Sequence, residues 1–168
     1  PNPATGWESD INRPSVLERE DGYHMWYTGQ AKGQSWIGYA TSPDGLVWTK
    51  HEANPVFAPD PQSPWENHKV TACQVEQIGG WHVMFYIGFR DEEHAQIGIA
   101  RSKDGITEWK RHPANPIIRP GKDQWDHDAV YKPYAIFDGK KWLLWYNGRR
   151  GDAEQIGLAI HLGTDLGF

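Results

Sequence analysis

Apolar residues along this chain come in short runs broken by Pro and Gly, and nowhere does a 3.6-residue apolar period persist for three turns. Pro14-Ser15-Val16-Leu17 ends in the turn chemistry of Glu20-Asp21-Gly22, the stretch from Tyr23 to Thr28 is rich in aromatics, and Ser35 to Thr41 alternates around Ile37 and Tyr39. Ser42-Pro43-Asp44-Gly45 follows, with Pro at the second turn position and Asp-Gly behind it. Trp48-Thr49-Lys50 then opens a fourth strand that should end near Asn54-Pro55-Val56-Phe57. Later come Lys103-Asp104-Gly105, Trp109 and Asn115-Pro116-Ile117-Ile118 in the same order. The pattern predicts an all-β chain built from four-stranded antiparallel meanders.

The meander repeats. Tyr27-Thr28-Gly29, Tyr86-Ile87-Gly88 and Tyr146-Asn147-Gly148 share Tyr-x-Gly at periods of 59 and 60 residues. Ile37-Gly38, Ile97-Gly98 and Ile156-Gly157 give a second register, and Trp7-Glu8, Trp65-Glu66 and Trp125-Asp126 a third. Four short strands repeated radially make the blades of a β-propeller. Residues 1–168 are expected to form one propeller-like domain with blades near 7–60, 65–120 and 125–168. Three blades are fewer than a ring needs, and both ends fall inside the repeat. A piece of a longer propeller is therefore expected, its third sheet lacking the outer strand. The alternative is a homo-oligomer in which another copy completes the ring. Such a fragment should expose apolar blade faces around Trp26 and Trp145.

Composition narrows the function classes. The net charge of −5, with no basic stripe, argues against nucleic acid and anionic membranes as partners. The longest apolar stretch, Val83 to Phe89, is too short to span a bilayer. One cysteine, Cys73, excludes an internal disulfide and fits a reducing, cytoplasmic compartment. Residues 1–168 carry no signal-peptide pattern, and a chain that starts inside a repeat does not speak to targeting.

Blades are pseudo-symmetric and a ligand is not, so residues repeated in every unit point to structure and residues that differ at one repeat position point to a site. The Trp-Glu/Asp acids and the Asp44 and Asp104 turns fall in the first class. The second class lies at the entry to each innermost strand. Allowing one gap, Asp10, His68 and Asp128 align, as do Asn12, Thr71 and Tyr131, then Arg13, Ala72 and Lys132, with Lys69 beside His68. Charged groups on strands facing a ring axis are costly unless paired or bound to something. Loops after the second strands should open on the same face and bring Arg90, Arg149 and Arg150 to the rim. A funnel of carboxylates, Arg, His and Trp suits a polyhydroxylated or phosphorylated ligand. Salt bridges lining a wet channel are the plainer explanation.

The run Tyr23 to Gly29, with Ile37 to Gly45 and Trp48, resembles the blade signature of five-bladed β-propeller glycosidases, the superfamily around glycoside hydrolase families 32, 43, 68 and 130. The resemblance implies a carbohydrate-active protein with catalytic acids near the axis, at the positions of Asp10 and Asp128. The departures are Arg13-Pro14 and Lys132-Pro133 where the superfamily has Asp-Pro, and His68 where a third acid would stand. Three readings follow. The first is hydrolysis of a glycosidic bond by Asp10 and Asp128, with Asn12, Arg13, His68, Lys69, Tyr131 and Lys132 orienting the sugar. The second is phosphorolysis, with Arg13, Lys132, Arg149 and Arg150 clamping phosphate. The third is a carbohydrate-binding or self-assembling fragment without catalysis. No cofactor is called for and no zinc-ligand spacing occurs; Asp126-His127-Asp128 with His68 offers at most a divalent-cation site.

Overall fold

The computed structural model describes residues 1–168 and consists, apart from one 3-10 turn at Pro3–Thr5, of strands and their connections. The first sheet holds β1 (Asp10–Arg19), β2 (Gly22–Ala31), β3 (Gln34–Ser42) and β4 (Thr49–Lys50). The second holds β5 (Lys69–Ile78), β6 (Trp81–Phe89), β7 (Ala95–Ser102) and β8 (Lys110–Arg111). The third contains β9 (Ala129–Phe137), β10 (Lys141–Arg150) and β11 (Ala153–Leu162), without a fourth strand. All neighbours are antiparallel and follow chain order, so each sheet is an up-and-down meander. The three sheets are propeller blades.

The outer strand differs from the sequence expectation. It keeps only two residues and is then replaced by side-chain bonds from Asn54 and Asn115. Asn54 accepts from Tyr39 N (2.8 Å) and donates to Tyr39 O (2.9 Å); Asn115 does the same with Ile99 (3.0 and 2.9 Å). Backbone pairing resumes beyond the Asn-Pro step, at Phe57 with Ile37 and Ile118 with Ile97. One amide thus satisfies the donor of a residue that a continuous strand would have paired, and shares that residue's carbonyl with the backbone N–H of His51 or His112 at 3.0 Å.

The triple motif is a blade buttress. The rings of Trp7, Trp65 and Trp125 lie directly on Gly29, Gly88 and Gly148, where a Cβ would collide with them. In two of the three repeats the tyrosine of Tyr-x-Gly donates its hydroxyl to the acid beside the Trp, Tyr27 to Glu8 at 3.0 Å and Tyr146 to Asp126 at 3.2 Å. Glu66 is 1 % exposed and is held by Arg111 at 3.0 Å. Burial pushes its carboxyl above the usual range, and Arg111 opposes that shift. These acids are structural, as their recurrence implied. Asp44 and Asp104 accept backbone N–H bonds within their own turns at 2.8 to 3.0 Å.

The core lies between blades. Trp26, Ile37, Tyr39, Val70, Val75, Met84 and Tyr86 form the cluster between the first and second sheets, and Phe85, Ile99, Ala135, Trp142 and Leu144 the one between the second and third. Trp26 is fully buried there, with its indole N–H donating to Gly105 O at 2.7 Å, which corrects the expectation that it faces outward. Most of the exposed large apolar residues lie on the third blade, at Tyr134, Ile136, Ile156, Leu158, Ile160 and Leu162, and the others, Ile11, Val16, Leu46 and Val47, on the first.

Candidate functional site at the blade axis

The innermost strands share a defect at one position. Arg13, Ala72 and Lys132 all adopt left-handed backbone, with φ of 51°, 51° and 53°, and the register of β1, β5 and β9 slips there. The residues aligned with one gap in the sequence are therefore the bulge residues. Non-glycine residues rarely occupy this region, and a β-bulge redirects the side chains around it. In two blades the redirected residue is a cation next to Pro.

Strand starts and second-strand ends share a face. Asp10 pairs with Gln30, His68 N donates to Phe89 O at 3.1 Å, and Asp128 N donates to Arg149 O at 2.9 Å. Two cavities open here. One, of about 160 Å³, is lined by Arg13, Gln30, Ser35, Lys69, Thr71, Ile87, Phe89 and Tyr131, from six strands of all three blades. The other, of about 270 Å³, is lined by Ser9, Asp10, Lys32 and neighbours and shares Gln30 and Lys69 with the first. Asn12 donates to Gln30 Oε1 at 2.8 Å, while its own Oδ1 is buried without a partner. Asp10, Asn12, Arg13, Lys69 and Tyr131 thus gather around one region.

The other residues are held at its edges. His68 (2.9 Å) and Lys69 both bind Glu92, and Arg149 binds Glu93 at 2.9 Å, so the loop after β6 ties the second blade to the third. These contacts hold the Glu92 carboxyl below the usual range, Lys69 being the largest cause. Burial, followed by the nearby Glu154 carboxylate, raises the Tyr131 hydroxyl to about 12. Lys132 Nζ lies 5.3 Å from the centre of the Tyr131 ring. Asp128 lines neither cavity: Oδ1 contacts His127 Nδ1 at 2.8 Å and Oδ2 accepts from Gly151 N at 2.7 Å. The His127 contact, then the Gly151 bond, holds its carboxyl below the usual range. Arg90 pairs with adjacent Asp91 at 3.1 Å, and Arg150 faces the carbonyls of Asp123 and Gln124. No group of three His, Cys, Asp or Glu side chains has metal-binding geometry; Asp126 is drawn inward by Tyr146 and the backbone N–H of Gly121.

The sequence model of the glycosyl hydrolases family 32 N-terminal domain matches residues 1–165. The chain belongs to this family. An uncharacterised protein of Mycobacterium tuberculosis (strain CDC 1551 / Oshkosh) is 28 % identical over 159 residues, covering 89 % of this chain and 50 % of that protein. The cell wall β-fructofuranosidase of Pisum sativum is 27 % identical over 128 residues, 70 % of this chain and 22 % of the enzyme. A family 117 glycoside hydrolase of Zobellia galactanivorans superposes with a TM-score of 0.79 at 18 % identity, over 96 % of this chain and 55 % of that structure, and so shares the fold. The chain spans about half the length of the first curated relatives it matches. Within this family 32 N-terminal domain, the stretches expected as loops after the second strands on this face carry Gln30, Glu92, Glu93 and Glu154, and Ser35 is a polar lining residue that sequence reasoning missed. The glutamates sit in charged loops that look like solvated tips, and only the path of those loops brings them to the axis.

Proposed function

We propose that this domain supplies part of a carbohydrate site at the propeller axis and acts on a glycosidic bond through Asp10 and Asp128. The supporting observation is Asp10 itself, the first residue of an innermost strand, beside a 270 Å³ cavity in a member of a glycosyl hydrolase family. Two carboxylates divide the work in such chemistry, one protonating the leaving oxygen and the other acting as base or nucleophile. Asp128, held ionised by His127 and Gly151, suits the base, nucleophile or charge-stabilising role. Asp10 is the other member of the pair, at the cavity wall. Asn12, Lys69, Tyr131 and His68 orient hydroxyls, with Arg90, Arg149, Arg150 and Lys132 at or near the rim. The test is turnover of a panel of aryl glycosides by Asp10→Asn and Asp128→Asn, each expected to lose about a hundredfold or more while circular dichroism stays unchanged. Full activity in both variants refutes the assignment.

A second reading, recognition without turnover, is favoured by one observation: both oxygens of Asp128 are already engaged within its own blade. It predicts sugar binding that Asp10→Asn leaves intact, with no release of aglycone.

A further inference from the structure

The charges lining the 160 Å³ cavity are all positive. Arg13 and Lys69 are its ionic residues and no carboxylate lines it. Lys69 is offset by Glu92, whereas Arg13 makes no ion pair, although its position on a left-handed bulge at the cavity wall keeps it there. Gln30 Oε1 is occupied by Asn12, which leaves the Gln30 amide N–H groups to donate. The buried, unpartnered Asn12 Oδ1 lies behind it as an acceptor. Ile87 and Phe89 supply an apolar wall.

We infer that this cavity binds the anionic substituent of an acidic sugar, and that Arg13 is the residue that selects it. The inference rests on the carbohydrate reading above and deepens it by naming a substrate class. A planar guanidinium pairs with a carboxylate in two parallel bonds, a geometry that a neutral hydroxymethyl group cannot match. The hydroxyl-bearing face of the ring meets the amide N–H groups of Gln30, which Asn12 orients, and its C–H face meets Phe89.

Isothermal titration calorimetry with methyl glucuronide and methyl galacturonide, against the matching neutral methyl glucoside and galactoside, tests this directly. At least one uronide is expected to bind about tenfold or more tighter than its neutral partner. Arg13→Asn, which keeps a residue tolerant of left-handed backbone, should erase that preference, and Arg13→Lys should retain part of it. Unchanged thermal unfolding of both variants separates loss of recognition from loss of fold. Uronides that bind no better than neutral sugars, or a preference that survives Arg13→Asn, overturn the inference. A third arm uses inorganic phosphate alone: binding tighter than either uronide, and lost in Arg13→Asn, assigns the cavity to free phosphate and overturns the acidic-sugar identity. Failure of the hydrolytic reading is visible separately, as uronide binding without aglycone release.

Discussion

Gly88 shows how a single residue sets the blade. The Trp65 ring occupies the space a Cβ would need, so Gly88→Ala is expected to overpack the buttress at a cost of about 1–3 kcal/mol, read as a lower urea midpoint. An unchanged midpoint would show that Trp65 moves aside freely. That the motif is structural was legible from sequence because Trp-Glu or Trp-Asp recurs with Tyr-x-Gly in every repeat. The roles of Glu92 and Glu93 were not, because what distinguishes them is contact with Lys69 and Arg149, far from them in sequence. Asp128 lies between these cases. Its alignment with Asp10 was visible, but its bonds to His127 and to Gly151 N depend on how the turn after β10 folds back.

At the scale of elements, the one-gap alignment of the innermost strands singled out the positions of Arg13, Ala72 and Lys132 but not the bulge they form, although Arg13-Pro14 and Lys132-Pro133 interrupt otherwise regular strands. Pro lacks the N–H a ladder requires, which favours a break in pairing at that point. The outer strand was over-read: the Trp48 to Phe57 stretch looks like one strand, yet Asn54 replaces its middle with a side-chain bridge. Asn115 does the same in the second blade and also donates to the Tyr86 hydroxyl at 3.2 Å. Asn115→Ala should leave Ile99 N unpaired, while Ile99 O keeps its bond from His112 N at 3.0 Å, and cost about 1–3 kcal/mol, measured by equilibrium denaturation. No loss would mean that water or backbone takes over the amide's bonds.

Across the whole molecule, blades are joined by a repeated reach from one innermost strand to the next. Ser15 accepts from Val75 N at 3.0 Å, and Gln74 donates to Ala135 O at 2.8 Å while accepting from Ala135 N at 2.5 Å. The next residue in that series, Tyr134, is 58 % exposed, and Val16, the first-blade counterpart of Val75, is 45 % exposed. A second copy docking head to tail would satisfy both positions, so concentration-dependent self-association is expected in sedimentation velocity and should be weakened by Leu158→Lys. A monomer at all concentrations would exclude it. A second whole-molecule effect follows from the contact of His82 with Arg19 between blades. Burial, then the Arg19 charge, holds the His82 imidazole below its ordinary value. The unfolded chain therefore binds this proton more readily than the folded one. The contribution of neutral His82 to stability is complete above about pH 6.5 and is lost as pH falls through the lower folded value. Chemical denaturation at pH 7 and pH 5 should show a larger drop for the unmodified chain than for His82→Gln; equal drops would remove His82 as a cause. The central claim, that the axial face is a carbohydrate-processing site organised by Asp10, is tested most directly by aryl-glycoside turnover with and without Asp10→Asn. The expected result is aglycone release that falls about a hundredfold or more in the variant with its fold intact, and the contradicting result is release that the substitution leaves unchanged.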